Sequence, residues 1–306
     1  MTSPADPRFF RIAGIVLAVA SDDSRQGLRW HDKFKAFETD GPGPDTVWIR
    51  HHSAAWPEPP TDPGRRIYAH PPYEIFAAGG DWIYRIGRDG SGPLQTAVFS
   101  GDYGRADIYT PGPIAVPETG FASLTLLPTD QILLAPLLAA RDGCLLHAAG
   151  VIDGGRGWLF AGHSTAGKSS ITTLLKGRAE ILCDDRIALR PGGDRFRIHG
   201  TWSHGDVPDV SPGSAPLQAL FLLRKSAQNS ALPILDRRTV VRHLIDLVIK
   251  PLPTADWWSR TLGVVERLAA AVPVYELSFD LSGRVLEVLD AVAAGGEGID
   301  FKPGSR

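Results

Sequence analysis

Short runs of β-branched and aromatic residues, cut every few positions by Gly, Pro or Asp, fill the first 127 residues. FFRIAGIVLAVA, TVWIR, YEIFAA, DWIYRI and QTAVF each read as a strand. Gly79 and Gly80, in AAGGDW, stand between two of these runs and predict a hairpin turn. The Pro-rich stretch over 54–64, AAWPEPPTDPG, predicts exposed, irregular chain. The aromatics of this region read as core rather than as a ligand platform. At 128 the period changes. Leu133, Leu134, Leu137 and Leu138 repeat at helical spacing, Asp130 offers a cap and Gly143 a stop, so a helix is expected over 128–143.

Strands and helices then alternate. CLLHAAGVI and GWLFA read as strands joined at DGGR, SSITTLLKG as a short helix, EILCDD and LQALFLL as strands. RTVVRHLIDLVIK and TADWWSRTLGVVERLAAAV read as helices, VPVYELSF as a strand, and GRVLEVLDAVAA as an amphipathic helix. The expected fold class is therefore α/β (α+β): a β-rich region over 1–127, an α/β domain over 128–293 and a flexible tail over 294–306. No internal repeat or low-complexity tract interrupts this plan.

Composition narrows the setting. Of 306 residues, 43% are hydrophobic and 22% charged, ordinary values for a globular chain with a sizeable core. A formal charge of −2 leaves no footprint for nucleic acid or an anionic membrane surface. The apolar run 12–20 is too short to span a bilayer, and with Asp6 before it and SDDSR after it lacks the form of a signal peptide. Cys144 and Cys183 lie in apolar runs, so two buried small hydrophobes are expected rather than a redox pair. A cytoplasmic protein with neither membrane nor nucleic-acid partner is the expectation.

Chemistry concentrates at residues 162–170, GHSTAGKSS, which fit Gly-x-x-x-x-Gly-Lys-Ser. A strand ending at Ala161 feeds a loop whose Gly162 and Gly167 can take positive φ. Backbone N–H groups from Gly162 through His163, Ser164, Thr165, Ala166, Gly167, Lys168, Ser169 and Ser170 can then ring a phosphate, aided by the positive end of the helix that starts near Lys168. Lys168 can reach the β/γ-phosphates, and the Ser169 hydroxyl can ligate Mg²⁺. One short helix later, Asp184 and Asp185 end an apolar strand. One can hold Mg²⁺ while the other takes a proton from an attacking hydroxyl. His147, an isolated polar residue in LLHAAGV, can sit near them and tune them. HGTWSHGD, residues 199–206, has the composition of a binding loop; zinc on His199, His204 and Asp206 is discounted, because the spacing matches no common ligand pattern.

In LLHAAGV, GRGWLFAG running into GHSTAGKSS, ILCDDRIAL and GTWSHGD, the chain resembles the HPr kinase superfamily, specifically the HPr-kinase-like serine kinases. Its β-rich leader resembles that of stand-alone HPr-kinase-like proteins, including those found with lasso-peptide genes. The resemblance implies a P-loop-containing nucleotide-binding domain of the HPr kinase/PEP carboxykinase kind, with Mg-ATP as donor and a serine hydroxyl of a peptide or protein as acceptor. It implies phosphate and metal binding by Gly162, Ser164, Gly167, Lys168 and Ser169. Asp184 would be the general base, Asp185 would help with metal or positioning, and His147 would support the pair. The family's enzymes often assemble, so a homo-oligomer is among the expected partners. Thr165 replaces a usual glycine, and Ser170 stands where bifunctional members carry glutamate, which points to a dedicated kinase. The β-rich leader is the expected acceptor-recognition element. The rival readings are a small-molecule kinase acting on serine or a sugar, and a nucleotide-binding regulatory module without transfer.

Overall fold

The computed structural model describes residues 6–22, 28–54, 63–87, 93–112, 116–295 and 299–301. They group into two units, Met1–Ala140 with Lys250–Ser259, and Arg141–Ile249 with Arg260–Arg306. In both units α-helices and large β-sheets mix, the coarse class expected.

The first unit holds nine strands: β1 (Arg8–Ile12), β2 (Ile15–Ser21), β3 (Glu38–Thr39), β4 (Thr46–His52), β5 (Arg65–His70), β6 (Tyr73–Ala78), β7 (Asp81–Gly87), β8 (Pro93–Phe99) and β9 (Arg105–Tyr109). They form one sheet in the order β3-β1-β2-β4-β9-β8-β7-β6-β5. The run FFRIAGIVLAVA, expected as one strand, is two. Ala13 at φ 51° and Gly14 at φ 76° fold it into the β1–β2 hairpin. Between β6 and β7 the expected turn is present, with Gly79 at φ 60° and Gly80 at φ 93° closing the pair Ala78 and Asp81. β5 and β9 escaped the reading because Arg, His and Asp interrupt their apolar pattern. Most of the aromatics are core as expected: Phe10, Trp30 and Phe34 meet edge to face in one buried cluster. Trp48 is half exposed, and Phe9, Tyr68, Tyr73, Trp82 and Tyr109 are only partly buried. Residues 55–62 of the Pro-rich stretch lie outside the described residues.

Helix α1 (Gln131–Ala139) stands where helical spacing placed it, grouped with the first unit. Asp130 does not cap it by its side chain. The carboxylate turns back instead and accepts from Ser123 Oγ, Leu124 N, Thr125 N and Thr125 Oγ1. Buried N–H groups of the preceding turn compete for it and win.

The second unit contains β10 (Cys144–Asp153), β11 (Arg156–Ala161), α2 (Lys168–Leu175), β12 (Glu180–Cys183), β13 (Arg186–Gly192), β14 (Arg195–His199), β15 (Ser214–Lys225), β16 (Asn229–Pro233) and α3 (Arg237–Leu247). Helix α4 (Ala255–Ala271) is divided between the units at Ser259; β17 (Val274–Phe279), α5 (Val285–Ala293) and β18 (Ile299–Phe301) follow. Two long strands, β10 and β15, each serve two groups of neighbours. Their first halves join β13 and β14, while their second halves join β11, with β12 and β17 outside. Phe160, Phe221 and Tyr275 stack across the second group, under Ile171 and Leu175 of α2 and Val285, Val288, Leu289 and Val292 of α5. That spacing on α5 is the amphipathic stripe read from the sequence. The tail expected to be loose over 294–306 carries β18, which pairs with β16 and satisfies backbone groups that β16 would otherwise present as an open edge.

Candidate active site

Strand direction brings the chemical residues together. β11, β15 and β17 run parallel, so Ala161, Lys225 and Phe279 finish at one end of the sheet. β12 is antiparallel to β10, and β10 to β11, so β12 also points that way and delivers Asp184 there. In the β10–β11 register Ala148 faces Ala161, which leaves His147 beside the exit of β11. The carboxyl ends of parallel strands in open α/β sheets are the usual ligand crevice.

The loop after Ala161 needs its glycines for two different reasons. A Cβ on Gly162 would lie 2.5 Å from the Ala166 Cβ, so the loop closes on itself only without one. Gly167 caps α2 at φ 108°, and a Cβ there would lie 2.8 Å from Cζ of Phe279. Thr165, where the resembled family has glycine, sits at φ 72°. It adopts the glycine-like backbone despite its β-branch. Lys168 is 8% exposed, and its ammonium donates back to Gly162 O (2.9 Å) and His163 O (3.2 Å). Burial lowers its pKa, against the pull of Asp185 and Asp184.

The two aspartates occupy unlike environments. Asp184 is 1% exposed. Its Oδ2 accepts from Ser169 Oγ (2.8 Å) and Val207 N (3.0 Å), and its Oδ1 from Gly205 N (2.5 Å). Asp185, with its side chain 16% exposed, lies 3.3 Å from His147 Nε2 and is bound by Arg186 Nη1. Burial foremost, then the charge of Lys168, lowers the His147 pKa, so the ring is neutral at neutral pH.

The segment after β14 closes the site. Thr201 Oγ1 donates to Arg186 O (2.6 Å) and Trp202 is buried, which fixes the chain so that the Gly205 and Val207 N–H groups reach Asp184. This brings Asp206 Oδ2 to 3.4 Å from Ser169 Oγ. His204 is exposed, and its Nδ1 bonds Gly205 O at 3.1 Å.

The result is a cleft of about 370 Å³ lined by Ser164, Thr165 and the run Gly167 to Ser170 of the loop, with His147, Asp184, Asp185, Gly205, Asp206 and Lys225. All the residues expected at the site converge except Gly162, His163 and Ala166, which shape the loop behind its lining. Sequence reasoning placed Asp206 in a binding loop without giving it a site role, and it missed Lys225. The signal for Asp206 was present in GTWSHGD. For Lys225, only the parallel pairing of β15 with β11 could have found it.

No curated protein matches the chain. Among solved structures, the HPr(Ser) kinase/phosphatase from Coxiella burnetii is similar over 49% of this chain and 95% of that chain, at 11% identity and a TM-score of 0.30. A likeness that weak carries no argument. No helix among the described residues is long and apolar enough to cross a membrane. The family model described as SynChlorMet cassette protein ScmC matches residues 126–294, more than half of the chain and the whole of the cleft. The chain belongs to the SynChlorMet cassette protein ScmC family.

Proposed function

We propose that this chain is an HPr-kinase-like phosphotransferase that moves the γ-phosphoryl group of ATP to a hydroxyl, in the first instance a serine of a peptide or protein. The observation that carries the reading is the 2.8 Å bond from Ser169, at the start of the helix that closes the glycine loop, to the buried Asp184. A hydroxyl and carboxylate so arranged, with Asp206 beside them, offer only oxygen donors, the set that suits Mg²⁺ among divalent ions. Magnesium, when bound, supplies charge that offsets the β- and γ-phosphate oxygens.

The residues divide the remaining work. Loop N–H groups and the α2 N-terminus bind the phosphates, and Lys168 exchanges its two carbonyl partners for phosphate oxygens. The acceptor hydroxyl needs a base, and the geometry favours reversing the roles that the resemblance implies. Asp184 has both oxygens filled by three donors, which suits it to holding Ser169 and the cation. Asp185 faces the cleft beside a neutral His147 and is the better proton acceptor, with His147 as its positioning partner.

A single assay tests the reading: label transfer from γ-labelled ATP to candidate peptides, serine and sugars, with wild type, Lys168→Ala and Asp185→Asn. Each substitution should lower the rate by about 10²–10⁴-fold while the melting temperature holds. Transfer undiminished in both variants would remove the mechanism. Label on serine or a sugar would move the acceptor class to small molecules. The Arg186–Asp185 ion pair, which occupies the carboxylate proposed as base, specifically favours a second reading, a nucleotide-binding regulatory module. Tight ATP binding without transfer to any acceptor would select it.

A further inference from the structure

The carboxyl end of β15 carries two cations with unlike surroundings. Arg224 Nη1 pairs with Glu276 Oε1 across to β17 at 3.1 Å. Lys225 lines the cleft with Ser164, Thr165, Gly167 and Lys168, and no hydrogen bond or ion pair to its ammonium occurs among the described residues. Its position follows from register. Leu222 faces Ala161, the last residue of β11, so Lys225 lies three residues further along β15, about 10 Å beyond the strand end and level with the loop. Lys225 also pairs in register with Phe279, whose ring lies against Gly167. The ammonium therefore enters from the Gly167 side, while Asp184, Asp185 and His147 enter from the β10 and β12 side.

A polyphosphate arriving in this cleft meets three carboxylates, Asp184, Asp185 and Asp206, and one lysine, Lys168, already tied to loop carbonyls. A second cation without a counter-ion, beside the glycine loop, is the complement such an anion needs. We propose that Lys225 is a second polyphosphate-binding residue of this site, gripping the phosphate chain from the side of the loop away from the aspartates. The inference rests on the nucleotide-binding reading above and adds to it a residue outside every motif of the chain.

Calorimetric titration of the full chain with Mg-ATP and, separately, with inorganic tripolyphosphate tests it. Lys225→Ala should weaken both ligands about tenfold or more, and Lys225→Arg should recover most of the loss. Arg224→Ala, which removes the same charge one residue away, should bind as wild type does. In turnover, Lys225→Ala should raise the KM for ATP with kcat largely retained, a split that a structural defect would not produce. Equal binding by Lys225→Ala and wild type overturns the role of Lys225 alone. An equal loss in Arg224→Ala overturns it too, since the effect would then be diffuse charge, and so does a loss confined to ATP, which would make Lys225 a contact to base or ribose. Failure of wild type to bind either ligand overturns the nucleotide reading itself.

Discussion

Two neighbouring aspartates on one chain segment can differ more than two distant ones, and Asp184 and Asp185 do. Both lie in the bend between β12, which ends at Cys183, and β13, which begins at Arg186; there one carboxylate turns inward to Ser169 and the loop at 205–207 while the other stays in the cleft beside His147. The same single-residue logic separates Thr165 from Gly167. Both sit at positive φ, but space is lacking only at Gly167, where Phe279 occupies the position of a Cβ. Gly167→Ala should therefore lower stability by about 1–3 kcal/mol, from backbone strain and the clash together, and weaken ATP binding as the loop shifts. Thr165→Gly should stay within about 1 kcal/mol of wild type, since relief of strain and the added freedom of the unfolded chain oppose each other. Denaturant titration of the two variants with and without ATP decides the matter. Equal tolerance at both positions would mean that the loop is not held against Phe279.

At the scale of elements, α1 shows how a reading from spacing succeeds and fails within one helix. The leucine stripe placed the helix, because burial of that face depends on period alone. The capping role given to Asp130 failed, because its partners lie in the turn at 123–125, and no local pattern announces which buried N–H groups will need an acceptor. Asp130→Ala strips four hydrogen bonds and leaves buried donors unpaired, so a loss of about 2–4 kcal/mol is expected in urea unfolding of the full chain. A loss below 1 kcal/mol would return Asp130 to a minor role. The site was legible on the same terms. The glycine loop, its lysine and the paired acids are contiguous in sequence and announce themselves. The meeting of Ser169 with Asp184, the N–H groups of 205 and 207 and Lys225 depends on which strands are neighbours, and that is decided by packing of Phe160, Phe221 and Tyr275 rather than by any motif.

Across the whole molecule, the response to acid is set by histidines placed on opposite faces of strands. His51 and His52 are consecutive on β4. His51 is fully buried, bonded through Nε2 to Leu124 O, and burial lowers its pKa to about 4. His52 bridges Asp22 and Asp107 at 2.9 and 3.0 Å, and these bonds, Asp107 first, raise its pKa. In the second unit, burial lowers His199 to about 4 as well. The signs follow from proton binding. Between the ordinary value of 6.5 and about 4, the unfolded chain protonates His51 and His199 and the folded chain does not, so stability falls as pH falls through that window. His52 acts oppositely: its contribution is full below 6.5 and is lost as pH rises through its raised folded value. Asp107, lowered chiefly by His52, adds stability that disappears only below its ordinary 3.8. Destabilisation by acid should thus begin well before the carboxylates titrate, with His51 alone contributing up to about 3 kcal/mol by pH 4. Melting temperatures of wild type and His51→Gln, measured from pH 7.5 to 4, isolate that share. Whatever the substitution costs at neutral pH, the variant should show the shallower slope between 6.5 and 4, and His52→Gln should lose its added instability as pH rises above 7. Parallel slopes for wild type and His51→Gln would mean that His51 takes up its proton in the folded chain, and that burial under Trp30 does not exclude the charge.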